Sequence, residues 1–288
     1  MVGGFVVDHL ASILGIDRLT EVVDVGANPI DGDAPYKPLL TAGLCRVTGF
    51  EPQKYAFHVL ETRKGPNERY LPYAISDGQQ HVLNICRGPG MTSLLEPDPA
   101  SLALFEALQP HSQIISREPM LTKRLDDVTE IGQLDFLKID IQGGELSVFR
   151  HGRRKLEQAI VVQTEVSFVP LYKDQPTFGD LDVELRAQGF IPHCFPSIKL
   201  WPIAPAILNN NPLQAVNQLL EGDIVYVRDI RRMDQLSDDQ IRHLGLIAHH
   251  CYHSIDLVLR CIAILEQRGV VGTAARRQYA DVVAGKAP

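Results

Sequence analysis

The sequence lacks the glycine-rich GxGxxG loop that wraps the pyrophosphate of a dinucleotide, has no CxxC pair, and nowhere runs apolar for long enough to span a bilayer. It also contains no low-complexity tract and no repeat of solenoid period. Cations are in deficit, 28 Lys and Arg against 35 Asp and Glu for a formal charge of −7, so there is no broad basic field of the kind that coats nucleic acid. The five cysteines (Cys45, Cys86, Cys194, Cys251, Cys261) are odd in number and scattered, which suits reduced thiols in a cytoplasmic protein better than a disulfide frame or a zinc site. The opening MVGGFVVDHLASILG has no basic leader and carries Asp8 and His9 inside its apolar stretch, the pattern of a helix and not of a secretory signal.

What is present is an ordinary globular composition, 45% hydrophobic and 22% charged over 288 residues, enough for one large α/β domain with an appended element. Short Val/Ile-rich runs alternate with helical stretches, the rhythm of a parallel sheet built from βαβ units. The strand candidates are Val22 to Val25, Cys45 to Phe50, Arg69 to Ile75, Phe136 to Ile141, Ile160 to Val166 and Ile224 to Arg228. His81 to Cys86 and Ser112 to Lys123 leave room for extra strands over one sheet edge, whereas the Pro- and Asn-rich stretch from Pro192 to Asn211 reads as irregular. From Ser237 onward, apolar residues at Ile241, Leu244, Ala248, Cys251, Ile255, Val258, Ile262 and Leu265 recur three and four apart, with Gly269 as C-cap and a short helix from Ala274 to Val283 after it. The expected division is an N-terminal helix (1–20), a catalytic domain (21–232) and a C-terminal helical extension (233–288). Ile247, Tyr252 and Leu259 broaden the apolar face of that extension, favouring burial against a surface of the domain or of a homodimer partner over an isolated coiled coil.

Four segments carry chemistry. Asp24-Val25-Gly26-Ala27-Asn28 follows an apolar strand, where a glycine admits a ligand to the backbone and an acid accepts hydrogen bonds from an ammonium or hydroxyl group. Gly49-Phe50-Glu51-Pro52 ends the next strand, and a carboxylate there can hold the two hydroxyls of a ribose. Between them, Pro29-Ile30-Asp31-Gly32-Asp33 is acidic and ill-suited to a pyrophosphate, so adenosine without pyrophosphate points to S-adenosylmethionine. Asp140, in Leu137-Lys138-Ile139-Asp140-Ile141-Gln142-Gly143-Gly144-Glu145, falls at the end of the fourth strand, where it can face the ligand crevice or cap the next helix. Glu165, in Thr164-Glu165-Val166-Ser167-Phe168, ends the adjacent strand; with Asp140 it could divide proton transfer and positioning or remain structural, and no third ligand makes the pair a metal site.

In combination these segments resemble the FkbM-type methyltransferases: VVDVGANPIDG (22–32), GFEP (49–52), AISDG (74–78), RLDDV (124–128), DFLKIDIQGGEL (135–146) and TEVSFVPLY (164–172). The resemblance implies a class I methyltransferase sheet, Rossmann-like and mostly parallel, with one antiparallel strand near the edge at Gly222 to Arg228. It implies Asp24, Gly26 and Asn28, with Ala27 between them, around the amino-acid part of S-adenosylmethionine. It further implies Glu51 on the ribose, Ala74 and Ile75 beside the adenine and Asp140 near the sulfonium, with Pro52 and Gln142 among the cofactor-binding residues. The implied reaction is O-methylation of a hydroxyl on a small natural product or glycan.

Asp140, Glu165 and His193 are the candidate general bases, in that order; a lone histidine beside Pro192 is more often structural. Tyr36, Met91, Phe168, Tyr172 and Trp201 are candidate pocket-lining residues by loop position, and each can equally be core. The basic run Arg150 to Lys155 reads as a solvated helix end, and His249, His250 and His253 lack the further ligand of a metal motif. A nicotinamide-dependent oxidoreductase would share the strand-two acid but requires the missing phosphate loop, and a non-catalytic scaffold of the same fold has no evident use for four retained acids.

Overall fold

The protein is described by a computed structural model covering residues 8–28, 32–211 and 213–286. The segment ahead of Asp8 and residues Pro29, Ile30 and Asp31 of the loop after the first strand lie outside those residues. In chain order the elements are α1 (His9–Leu14), β1 (Thr20–Val25), α2 (Lys37–Thr41), β2 (Cys45–Phe50), α3 (Lys54–Arg63), β3 (Glu68–Leu71) and β4 (Gln80–Cys86). They continue with α4 (Pro99–Leu104), β5 (Ile114–Leu121), β6 (Phe136–Ile139), α5 (Glu145–His151), α6 (Arg153–Leu156), β7 (Val161–Ser167), α7 (Phe178–Ala187), β8 (Phe190–Leu200), β9 (Leu219–Arg228), α8 (Asp238–Tyr252), α9 (Ile255–Gln267) and α10 (Ala275–Val283).

The main sheet has seven strands in the order β3-β2-β1-β6-β7-β9-β8, with β9 antiparallel to both its neighbours. This is the mostly parallel, Rossmann-like sheet that the resemblance implies, with the expected antiparallel strand in place. The chain leaves β1 toward β2 and β3 on one side and returns to β6 on the other, so a topological switch point falls between β1 and β6, where ligands bind in such sheets. β4 and β5 pair as a separate antiparallel ribbon, tied to the main sheet where Lys123 N–H donates to the Ala74 carbonyl (2.8 Å) and Ser76 N–H to the Lys123 carbonyl (2.9 Å).

Strand alternation explains how the sheet is covered. On one face Val22, Val47, Phe136, Val161 and Val225 pack under α1, α2, α8 and α9 through Leu10, Leu39, Ile247, Val258 and Ile262. On the other, Val23, Leu137, Ile139, Val162 and Tyr226 pack against Leu146, Phe149, Leu181 and Leu185 of α5 and α7. The apolar stripe of the C-terminal extension is thus buried against its own sheet.

Two expectations change here. The stripe belongs to a helical hairpin and not to one helix: α8 ends at His253, left-handed at φ 52°, and α9 starts two residues later. The spacing recorded burial on both sides of the break, and it fails at the break itself, where Ile255 is 41% exposed. Ser237 caps α8 with a reciprocal Gln240 contact, and Gly269 (φ +71°) terminates α9. Second, much of the stretch read as irregular is β8. Its Pro192 and Pro196 are accommodated because β8 is the sheet's edge strand and its register slips at 192/194 and 194/197, where a missing N–H costs no ladder bond.

Arg18 locks the hairpin to the sheet. Its guanidinium binds both oxygens of Asp135 (2.6 and 2.9 Å), whose side chain is 1% exposed, and both oxygens of the half-exposed Asp239 on α8 (2.6 and 3.2 Å). Removing one partner of a buried pair strands the other charge, so Arg18→Ala is expected to lower unfolding free energy by about 3 kcal/mol in urea titration. Asp239→Asn, at the exposed end, should cost about 1 kcal/mol or less.

Candidate functional site

At residue 26 the carboxyl ends of β1 and β6 nearly touch. Gly26 has φ +82°, and a Cβ built there would sit 2.0 Å from the Asp140 carbonyl oxygen, so only glycine fits. Gly26 N–H donates to the Phe50 carbonyl (3.1 Å) and Asp140 N–H to the Val25 carbonyl (3.0 Å), joining three strand ends. Above this junction opens a cavity of about 400 Å³.

The cavity collects Asp24, Gly26, Ala27, Asn28, Glu51, Pro52, Ala74, Ile75, Asp140, Gln142 and Glu165, residues from five separate motifs of the sequence. Its polar floor follows from the same alternation that builds the core. On β1, β6 and β7 the residues sharing a face with Val22, Phe136 and Val161 turn polar toward the carboxyl ends: Asp24, Lys138 with Asp140, and Gln163 with Glu165. The α8–α9 hairpin covers the apolar half of that face. Tyr252 marks the border, its ring edge-on to Phe136 and its hydroxyl donating to Gln163 Oε1 (2.9 Å).

Asp24 is 2% exposed; Oδ2 accepts from the Tyr36 hydroxyl (2.6 Å), while Oδ1 has no hydrogen-bonding partner although the Lys138 ammonium lies 3.3 Å away. Burial raises the Asp24 pKa, and burial with the adjacent carboxylate pushes the Tyr36 hydroxyl well up. Lys138 Nζ also donates to the Gly26 carbonyl (3.1 Å). Burial opposes its charge, but Asp24 and Asp140 overcome that and raise its pKa. Glu51 accepts the Gln53 N–H through Oε1 (2.7 Å), and burial pushes its carboxyl up to about 7.

Gln142 holds the two strand-end acids together. Its Nε2 donates to Asp140 Oδ1 (2.8 Å) and Glu165 Oε2 (2.9 Å), and its Oε1 accepts from the Tyr172 hydroxyl (3.2 Å). The residue is left-handed at φ 59°, a conformation held by Ser93 Oγ donating to its carbonyl (2.7 Å) and by Glu145, which accepts the N–H groups of Ile141 and Gly143. Burial, then the Asp140 and Glu221 carboxylates, drive Glu165 well above the ordinary glutamate range despite Lys199 at 3.6 Å.

Other sequence candidates lie elsewhere. His193 is not part of the cavity lining; on β8 its Nε2 sits 2.8 Å from Ser254 Oγ at the hairpin turn, and burial lowers its pKa. Tyr36 lines the cavity, but Met91, Tyr172 and Trp201 pack in a separate apolar cluster beneath the β4–β5 ribbon, and Phe168 packs with Phe178 and Phe195. The basic run after Asp140 is spent internally, with Arg153 on Glu184 (2.6 Å) and the Lys155 N–H on Asp126 (2.8 Å). His249 lies 3.1 Å from the Tyr279 hydroxyl and His250 3.1 Å from Asp8, and among the described residues no cluster of three or more His, Cys, Asp or Glu could hold a metal ion. Lys138, Gln163, Lys199 and Asp223 line the cavity without having been singled out from the sequence. Lys138 left a legible signal, a polar residue interrupting an apolar strand two positions before Asp140 and therefore on its face.

The chain is similar to magnesium protoporphyrin IX methyltransferase from Synechocystis PCC 6803, solved with bound SAM, at 10% identity and TM-score 0.39, covering 76% of this chain and 78% of that one. It is also similar to precorrin-6y C5,15-methyltransferase from Geobacter metallireducens GS-15, at 10% identity and TM-score 0.37, covering 76% and 85% of the two chains. No curated protein matches it. Residues 24–192, more than half of the 288, match the family described as the methyltransferase FkbM domain, and they contain the β1, β2 and β6 ends and the acids that meet there: the chain belongs to the FkbM methyltransferase family.

Proposed function

We propose that this methyltransferase transfers the methyl group of S-adenosylmethionine to a hydroxyl oxygen of a small natural product or saccharide. The observation that carries the reading is the Asp140–Gln142–Glu165 assembly, two carboxylates bridged by one amide, standing in the same cavity as the Asp24 and Glu51 carboxylates. The cavity suits the cofactor: Gly26 leaves bare backbone where a side chain cannot fit, Asp24 Oδ1 is a buried acceptor without a hydrogen bond, and Glu51 engages one oxygen with its own loop. Glu51 receives the ribose hydroxyls, Ala74 and Ile75 with Pro52 flank the adenine, and Asp24, Ala27 and Asn28 surround the amino-acid end. A dinucleotide reading has no comparable support, because the loop after β1 offers no glycine-rich cradle for a pyrophosphate.

S-adenosylmethionine supplies an already activated methyl group, so the chain's task is to align the acceptor oxygen and take up its proton. Asp140 accepts that proton at its carboxylate, held in place by Gln142 Nε2. Glu165, favoured in its protonated form by burial and by Asp140, donates a hydrogen bond that orients the acceptor. The loop carrying Ser93, tied to the Gln142 carbonyl, lines the cavity beside this assembly.

Calorimetric titration with S-adenosylmethionine, its demethylated product and NAD separates the readings: binding of NAD and of neither methionine-derived ligand overturns ours. Glu51→Ala should weaken cofactor binding about 10- to 100-fold, the worth of hydrogen bonds to a charged group. Asp140→Asn should chiefly lower kcat, by about 10²- to 10⁴-fold, with cofactor affinity less affected.

Glu165 also predicts a pH signature. An acid whose folded pKa lies above its ordinary 4.5 binds its proton more tightly when folded, so its stabilising contribution is complete below that value and is lost as pH rises through the raised one. In thermal denaturation from pH 5 to 9, wild type should lose melting temperature faster than Glu165→Gln. Parallel curves would remove Glu165 from the protonated role.

A further inference from the structure

The change of polarity along the sheet continues past β7. β9 runs the other way, and from Val227 and Val225, packed under the C-terminal helices, its residues on that face become Asp223 and Glu221 toward the cavity. On β8, Ile191 and Cys194 pack against the same core, and after the slip at 194/197 the face carries Ser197 and Lys199. Asp223 stands opposite Glu165 in one ladder and opposite Ser197 in the other, with Lys199 opposite Glu221, so a row of polar side chains crosses β7, β9 and β8. Ser197 Oγ donates to Asp223 Oδ2 (2.7 Å), and Lys199 Nζ donates to Glu221 Oε1 (2.8 Å) with Glu165 Oε1 at 3.6 Å.

These three strands contribute Gln163, Glu165, Asp223 and Lys199 to the cavity lining, and among the described residues they contribute no apolar side chain to it. A pocket for an apolar skeleton is lined mostly by hydrophobic and aromatic groups. From β7 to β8 the row reaches about 10 Å, two inter-strand steps. In the order of strands it lies beyond Asp140 and Glu165 from β1, β2 and β3, whose ends carry the residues assigned to the cofactor.

Resting on the oxygen-transfer reading above, we propose that this row is the acceptor subsite, and that Asp223 and Lys199 are its specificity-determining residues, selecting a neutral saccharide over an apolar alcohol. With the reacting hydroxyl between Asp140 and Glu165, the hydroxyls next along the sugar meet Asp223 and Lys199. A hydroxyl both donates and accepts, so a carboxylate takes one and an ammonium, with its three donors, takes the other. Lys199 sits on Glu221 and Lys138 beside Asp24, so Asp140 and Asp223 set the sign of this end and repel an acceptor that carries carboxylate, phosphate or sulfate.

The test uses the full chain, tritiated S-adenosylmethionine and three sets of probe acceptors: methyl glycosides of neutral hexoses, the corresponding methyl glycosides of uronic acids, and apolar alcohols such as cyclohexanol and menthol. At least one neutral glycoside should be methylated, with kcat/KM about tenfold or more above its uronate and above every apolar alcohol. On that glycoside Asp223→Asn and Lys199→Met should each raise KM about tenfold or more, the worth of a hydrogen bond to a charged group, while kcat changes less than threefold. Lys199→Arg should recover most of the loss. One monodeoxy analogue of the glycoside should be as poor for wild type as the parent is for Asp223→Asn, and should lose little further in that variant. Calorimetry with S-adenosylhomocysteine should give affinities within threefold of wild type for every variant, which also reports that each folds. Transfer confined to the apolar alcohols or favouring the uronate overturns the subsite, as does an unchanged KM in both variants. A wild type that binds no S-adenosylhomocysteine, or that binds it and methylates none of the three sets, instead sinks the cofactor or the oxygen-transfer reading on which the subsite rests.

Discussion

Where β1 and β6 end, their backbones come too close for any side chain at residue 26, and that contact organises the site. The Gly26 Cα faces the Asp140 carbonyl, Gly26 N–H reaches back to Phe50 on β2, and Lys138 of β6 donates to the Gly26 carbonyl. Three strands are thereby held so that Asp24, Glu51 and Asp140, separated by up to 116 positions in sequence, open onto one cavity. The geometry is that of the switch point in a doubly wound sheet, where the chain's reversal of direction leaves a crevice that no crossover helix fills.

The second organising feature is a change of polarity along a single sheet face. Period-2 alternation puts Val22 and Asp24, Phe136 and Lys138, and Val161 and Gln163 on the same side of the sheet. The first member of each pair lies under the C-terminal helices and the second faces the cavity. The hairpin α8–α9 is therefore more than an appendage: it closes the apolar half of the face whose other half is the proposed cofactor and acceptor pocket. Tyr252 links the two by its hydroxyl on Gln163, and Arg18 ties the same hairpin to Asp135 at the start of β6.

Much of this was legible in the sequence because it depends on local pattern. Residues 45–50 form β2 with the bounds that their apolar run suggests, and the turn glycine at 26 and the acids at 24, 51, 140 and 165 fall where strand ends were expected. Other features depend on the partner a segment meets. β8 carries two prolines that argue against a strand, and only its position at the sheet edge and its bulges make room for them. His253 breaks the last long helix without glycine or proline, so the heptad spacing reads straight across the break. His193 follows β8 away from the cavity to Ser254, and Met91, Tyr172 and Trp201 are consumed by packing under the β4–β5 ribbon, a distinction that loop position cannot make. Gln142 was readable as a site residue but not as the bridge between two carboxylates, since that role exists only once β6 and β7 lie side by side.

The central claim is that the cavity above the Gly26 junction holds an adenosine-linked amino acid in one orientation. A crystal structure of the chain grown with S-adenosylhomocysteine tests it most directly. The account predicts ribose hydroxyls within hydrogen-bonding distance of Glu51, the sulfur facing Asp140, and the amino-acid end over Gly26. Ligand density outside this cavity, or with the ribose away from Glu51, would contradict it.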